Sequence, residues 1–208
     1  EVAQVLVCCG ALLAPLGSSG ASLCRTAKRT KDVVHFMATV GTNQDNLPAN
    51  VTTRHDLKPG DIGDIVRLHG IIYAQEYAFD HTFEAYVAGP LSEFVQSASA
   101  RQRLWIAERE GRIVGCIAIV ALSTEVAQLR WFLIDPSARG LGLGKKLLNE
   151  AIAFCRDCGY ESIILRTVST LVAAAHLYLA AGFRKVEEKP GRRWGVDVIE
   201  EKYELNLP

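Results

Sequence analysis

Between Ala127 and Asp157 the period of the sequence changes twice, and those changes fix what the chain around them can become. The run "AQLRWFLID" is β-rich and ends at Pro136, which has no amide to continue a ladder. The stretch "DPSARGLGLGKKLL", Asp135 to Leu148, follows it. An amphipathic helix then begins. Leu143, Leu147, Leu148, Ala151, Ile152 and Cys155 share one face, Lys145, Lys146, Asn149, Glu150, Arg156 and Asp157 lie off it, and Gly159 supplies a left-handed stop. A strand, a glycine-spaced loop and a helix in direct succession place the apolar helix face against the sheet.

The flanking sequence predicts a mixed sheet around this unit. "VTTRHDL" reads as a short strand. After Pro59 and Gly60, the positions Ile62, Ile65, Val66, His69, Ile72 and Tyr73 recur at helical spacing. Phe83, Val87, Leu91, Phe94 and Val95 share the face of a second helix that Thr82 can cap and that Gly89 and Pro90 are expected to bend or split. "LWIAERE" and "RIVGCIAIVAL" flank Glu110 and Gly111 as an antiparallel hairpin. "SIILRTV" gives the next strand, "LVAAAHLYLAAG" a helix ended by Gly182, and "FRKVEEKP" with "GVDVIEEKYELNL" two closing strands. The class is α/β with a mixed sheet, hairpins at both ends and one crossover in the middle.

Gly140, Gly142 and Gly144 remove side chains where the chain leaves a strand and enters a helix, so successive amides can turn inward toward a ligand. At a helix start such amides are unpaired donors backed by the dipole, and Arg139, Lys145 and Lys146 add charge, which together suits a pyrophosphate. The competing explanation is a helix packed closely on the sheet through its glycines. A Walker loop is excluded, because Gly144 is followed by two lysines and no serine or threonine. A dinucleotide fingerprint fits poorly, since Glu161 precedes its strand instead of closing it and the glycine cluster lies behind a hairpin.

Composition limits the partners. Lys plus Arg equals Asp plus Glu at 23 each, so no global field favours nucleic acid or an anionic membrane. The six cysteines, Cys8, Cys9, Cys24, Cys116, Cys155 and Cys158, are too uneven for a disulfide framework and read as reduced thiols of a cytoplasmic protein. "CRDC" lies within a helix and the five histidines lack metal-ligand spacing, so no metal is expected. The apolar run from Val2 to Gly17 is too short and too interrupted for a membrane span and makes a weak signal peptide; residues 1–50 are expected to be a poorly ordered appendage to a domain over 51–208.

From about Val51 to Leu207 the chain resembles the GCN5-related N-acetyltransferases, the GNAT family. Arg139, Gly142 and Gly144 match the family's RxxGxG acetyl-CoA loop behind "FLIDP", and Leu177, Tyr178, Gly182 and Phe183 match its LYxxxGF helix. More narrowly, "YAQEYAFDHTFEAYVA", "PSARGLGLG" and "GFRKVEEKP" are similar to the acetyltransferase portion of MarR/GNAT fusion proteins; residues 1–50 do not resemble the DNA-binding partner, so no nucleic-acid role follows.

The resemblance implies the GNAT acyl-CoA N-acyltransferase fold, a mainly antiparallel splayed sheet flanked by helices. It also implies acetyl-CoA as cosubstrate and a small-molecule or peptide amine as acceptor, attacked directly, with no membrane partner and homodimerisation left open. Phe132, Leu133 and Ile134 would bond the pantetheine arm through their backbone, and Arg139, Gly140, Leu141, Gly142, Leu143, Gly144 and Lys145 would hold the pyrophosphate. Tyr178 would be the acid that protonates the departing thiolate, against the alternative of a core tyrosine. Two family positions differ: Arg166 stands where many members carry an acidic residue, and Leu171 where many carry asparagine. Glu125 is a candidate base through a water, and Glu76, Asp80, His81 and Glu84 form an acidic region suited to a cationic amine. The rival functions are a catalytically weak acyl-CoA-binding module and a dinucleotide-binding oxidoreductase.

Overall fold

The computed structural model describes residues 50–97 and 99–208. The appendage expected over residues 1–50 therefore lies outside the described residues, save Asn50. In chain order the elements are β1 (Val51–Arg54), α1 (Asp61–Tyr77), α2 (Thr82–Gln96), β2 (Arg103–Arg109), β3 (Arg112–Ala121), β4 (Val126–Ile134), α3 (Leu143–Asp157), β5 (Ser162–Val168), α4 (Val172–Ala180), β6 (Arg184–Arg193) and β7 (Val196–Asn206), with a 3-10 turn at Pro136–Ala138. The strands form one sheet in the order β1-β2-β3-β4-β5-β7-β6. Every pairing is antiparallel except β4 with β5.

Local chemistry explains most of these boundaries. Glu110 and Gly111 both have positive φ, 53° and 75°, which is the primed turn that matches strand twist in a two-residue hairpin. Gly159 at φ 71° and Gly182 at φ 95° follow α3 and α4 in the left-handed region where a side chain would be strained. The helix α2 is not split: it continues as one element through Gly89 and Pro90. Buried Phe83, Val87 and Leu91 continue the same stripe across the proline, and tertiary packing of that face outweighs one missing amide. Asp80, not Thr82, caps the entry, its carboxylate accepting from the amide and hydroxyl of Thr82.

Two cores cover the two faces of the sheet. One gathers Leu143, Leu147, Leu148, Ala151 and Ile152 of α3 with Ile163, Leu165, Tyr178 and Phe183. The other gathers Ile65, Ile72, Phe83, Val87 and Leu91 of α1 and α2 with Ile106, Ala118, Trp131 and Leu133. Each fully buried leucine or isoleucine contributes roughly 1.5–3 kcal/mol.

The start of α1 is tied to the sheet by a charge cluster. Arg54 donates to both oxygens of Asp61 at 2.7 and 2.8 Å and to Glu108 at 2.7 Å, and the Lys58 amide adds a fourth bond. Burial pushes the Asp61 carboxyl up, but the bonds from Arg54 and Lys58 outweigh it and hold the group below its usual value. A carboxyl depressed in the folded chain stabilises it above the unfolded pKa, near 4, and that contribution is lost as pH falls through the folded value. Asp61→Asn is expected to cost about 2 kcal/mol at neutral pH and to weaken the acid dependence of the melting temperature, both read by thermal unfolding between pH 3 and 7.

Candidate active site

The sheet opens where β4 and β5 separate. They pair only from Val126–Ser162 to Leu129–Leu165, although β4 stays bonded to β3 as far as Ile134 and β5 to β7 as far as Val168. From Arg130 onward the β4 edge facing β5 has lost its ladder partner, and the Thr167 hydroxyl on β5 is buried with no hydrogen-bond partner. Unpaired backbone groups on β4, with an orphaned hydroxyl on the neighbouring strand β5, suit a polar, extended ligand.

A bulge at Trp131 determines which β4 side chains meet that gap. Leu133 pairs with Cys116 and Arg130 with Ala118, so one residue of β3 opposes two of β4, and Trp131 takes φ 48°. The extra residue reverses the alternation. Ala127 and Leu129 point into the α3 core, Trp131 and Leu133 into the α1–α2 core, and Phe132 and Ile134 come back to the α3 side. The Cys116 thiol donates to the Trp131 carbonyl at 3.1 Å, and burial pushes that thiol up to about 12. Trp131 is thus the buried anchor, its ring edge-on to Phe94.

The glycine loop divides its labour. Gly140 (φ 75°) and Gly142 (φ 78°) adopt a left-handed backbone with open space where a Cβ would stand. Gly144 is different: an added Cβ would lie 3.2 Å from Leu177 Cδ1, 3.5 Å from Phe132 Cζ and 3.7 Å from Ile134 Cγ1. Close helix packing explains this third glycine, and backbone conformation explains the first two. Six consecutive amides, Gly140 to Lys145, find no hydrogen-bond acceptor among the described residues; the next, Lys146, bonds the Gly142 carbonyl. They precede α3 and share the positive end of its dipole.

Tyr178 and Phe132 lie side by side, ring centroids 6.1 Å apart, and Tyr178 also contacts Phe183 and Tyr203 at 5.9 Å. The residue is 5% exposed, yet its hydroxyl makes no hydrogen bond among the described residues. Burial, with Tyr73 and Tyr203 nearby, holds the phenol well above the ordinary tyrosine range, so it carries its proton at neutral pH.

The expected acidic region resolves into separate roles. The Asp80 carboxylate caps α2, and its amide donates to the Trp194 carbonyl at 2.9 Å. Glu84 packs over Gly70, where an added Cβ would meet its carboxylate at 2.3 Å. His81 is exposed at the α2 entry. Glu76 alone among these four lines a cleft of about 530 Å³, with Gln75, Tyr77, Phe79, Thr170 and Asp197. Glu125 does not approach it: it precedes Val126, at the paired end of β4, about 25 Å of strand from Ile134. Arg166 is near Glu187 on β6 at 3.9 Å, and Leu171 opens α4.

Arg139 folds back from the loop, Nε donating to the Ile134 carbonyl at 3.1 Å and Nη1 to Glu76 at 2.9 and 3.0 Å. Nothing in the sequence announces this pair, since its members stand 63 positions apart. The ring cluster of Tyr73, Tyr77, Phe79, Phe83, Tyr86 and Trp194 is equally unannounced, because Trp194 joins it from the turn between β6 and β7.

The profile of the acetyltransferase (GNAT) family matches residues 71–183, more than half of the chain. The chain belongs to that family. An uncharacterized N-acetyltransferase of Schizosaccharomyces pombe is 29% identical across 67% of this GNAT chain and 86% of its own length. Human N-acetyltransferase 8B is 30% identical over 50% of the chain, which spans about half, 49%, of that relative. Among solved structures, yncA of Salmonella typhimurium, determined with its cofactor acetyl-CoA, superposes with a TM-score of 0.57 at 19% identity, covering 76% of this chain and 95% of its own. The GNAT fold expected from the sequence is the fold observed. No described helix is long and apolar enough to cross a membrane, and no group of three His, Cys, Asp or Glu side chains among the described residues is placed to hold a metal ion.

Proposed function

We propose that this chain, through a domain over 51–208, transfers an acetyl group from acetyl-CoA to a primary amine by direct attack within one ternary complex, in the cytoplasm and without a metal. The observation that carries the reading is the row of six acceptor-free amides at the entrance of α3, set beside a sheet that has come apart at β4 and β5. The residues fit the cosubstrate: the amides of Gly140, Leu141, Gly142, Leu143, Gly144 and Lys145, with Arg139, suit its diphosphate. The backbone of Phe132, Leu133 and Ile134, unladdered on the β5 side, together with the orphaned Thr167 hydroxyl on β5, suits its amide-bearing arm. Leu171 removes one polar contact that asparagine would add, and the Thr167 hydroxyl is a neighbouring donor.

Acetyl-CoA supplies a thioester carbon, so that a C–N bond forms as a C–S bond breaks. The protein's part is largely placement, and holding both partners in one cleft is worth on the order of 7–11 kcal/mol when the alignment is good. Tyr178 hydrogen-bonds the departing sulfur and passes it a proton as negative charge gathers there; a thiol of ordinary pKa near 8.5 is a stronger acid than a phenol, so the transfer is completed only as the phenol regains a proton from the one the amine gives up. The proton lost by the amine passes through water in the open cleft. The acceptor is a small-molecule or peptide amine. The likeness of "YAQEYAFDHTFEAYVA" to the enzyme portion of MarR-type fusions belongs to this proposal, for that stretch borders the acceptor cleft.

The deciding experiment incubates the purified chain with acetyl-CoA and a panel of primary amines and follows free thiol. Amine-dependent thiol release is expected; CoA binding by calorimetry with no release across the panel would leave only a binding module.

A further inference from the structure

The side chain that begins the diphosphate loop is already engaged, and its partner is the one carboxylate of the α1–α2 region that lines the acceptor cleft. Arg139 spans the last residue of β4 and the last turn of α1, bonding the Ile134 carbonyl through Nε and Glu76 through Nη1. The other carboxylates at this mouth have commitments of their own: Asp80 to Thr82, Glu84 over Gly70, and Asp197 to Arg192 at 3.1 Å. Glu76 depends on a cation that belongs to the cosubstrate's loop.

Such a pair is easily exchanged. The Arg139 side chain is 45% exposed and that of Glu76 26%, and solvent-exposed ion pairs contribute little net free energy. A diphosphate seated on the six amides that lack an acceptor among the described residues brings more negative charge to the same guanidinium, which Glu76 holds through Nη1 alone. Once Arg139 turns to it, Glu76 is left without a cation, keeping only its hydrogen bond with the Tyr77 side chain, beside Phe79, whose ring lies 6.1 Å from that of Tyr77. A carboxylate bordered by aromatic faces recognises an ammonium carried on an apolar stem.

We propose that Glu76 is the acceptor-binding carboxylate, held on Arg139 until the diphosphate of acetyl-CoA takes that arginine, and that the acceptor is a primary ammonium on an apolar or aromatic stem. The proposal rests on the acetyltransferase reading above. It requires that cosubstrate and amine strengthen each other's binding through this one exchange, since such coupling is reciprocal.

The test is calorimetry with CoA on the wild-type chain, Glu76→Gln, Arg139→Ala and the double variant, followed by 2-phenylethylamine titrated with and without saturating CoA. Glu76→Gln removes the competitor for Arg139 and should tighten CoA about threefold or more, whereas the same substitution in the Arg139→Ala background should change nothing. In the wild-type chain CoA should improve 2-phenylethylamine binding about tenfold, and Glu76→Gln should erase that gain. A Glu76→Gln chain with an unchanged melting temperature but equal or weaker CoA binding would overturn the proposal, as would a wild-type chain in which CoA gives the amine no advantage. If Glu76 only braced α1, its loss would weaken CoA binding and lower the melting temperature together. Failure of the wild-type chain to bind CoA would instead bring down the acetyl-CoA reading, and this inference with it.

Discussion

Tyr178→Phe should lower kcat by roughly a hundredfold or more while the dissociation constant for CoA and the melting temperature stay where they are. The substitution isolates one atom. The ring keeps its neighbours Phe132, Phe183 and Tyr203, and the hydroxyl it loses bonds nothing else among the described residues. A tyrosine retained for packing would therefore tolerate the change, and an acid would not. Because the phenol is held above its ordinary range and stays protonated, the wild-type rate should show no fall on the alkaline side from loss of this proton anywhere between pH 6 and 9. Steady-state kinetics under conditions where chemistry limits turnover, beside CoA calorimetry, decide the matter; undiminished turnover refutes the acid role.

Gly142→Pro should weaken CoA binding by a factor of about a hundred or more, which is about 2.7 kcal/mol. Proline fixes φ near −65°, and Gly142 sits at +78° at the cap of α3, so the ring both deletes one of the six free amides and turns its neighbours away. Gly144→Ala is the contrasting variant. Its Cβ would press on Leu177 Cδ1 at 3.2 Å, the far end of a flexible side chain, and alanine favours a helix interior by about 1 kcal/mol. CoA affinity should then change by less than about threefold, roughly half a kcal/mol. Calorimetry on the two variants separates the backbone role from the packing role; equal losses would mean that the loop binds by its overall shape alone.

The sequence reveals features that are local and periodic. The α3 stripe, the Glu110–Gly111 turn and the glycine stops at 159 and 182 are all visible without coordinates, because each depends on residues within a few positions of one another. What depends on distant partners is hidden. Trp131 takes its left-handed backbone with no glycine to mark it, because the bulge is imposed by how β4 must meet β3 and both cores at once. Pro90 signals a break that the buried stripe of α2 overrides. In the site, the loop glycines and Tyr178 follow from motif and spacing, but Gly144 takes its role from Leu177 on another helix. Glu76 could not be chosen from its acidic neighbours until the commitments of Asp80 and Glu84 were seen.

The outer strand β6 has one more implication. It closes one margin of the sheet with Arg184, Lys185, Glu187, Glu188, Lys189, Arg192 and Arg193 around Pro190, almost all of them in solvent, while the opposite margin, β1, is only four residues long. A neighbouring molecule that tried to extend the sheet at either border would meet mixed charge and a missing donor on one side and too short a template on the other. Among the described residues, both borders of the sheet therefore disfavour edge-to-edge pairing with a second copy.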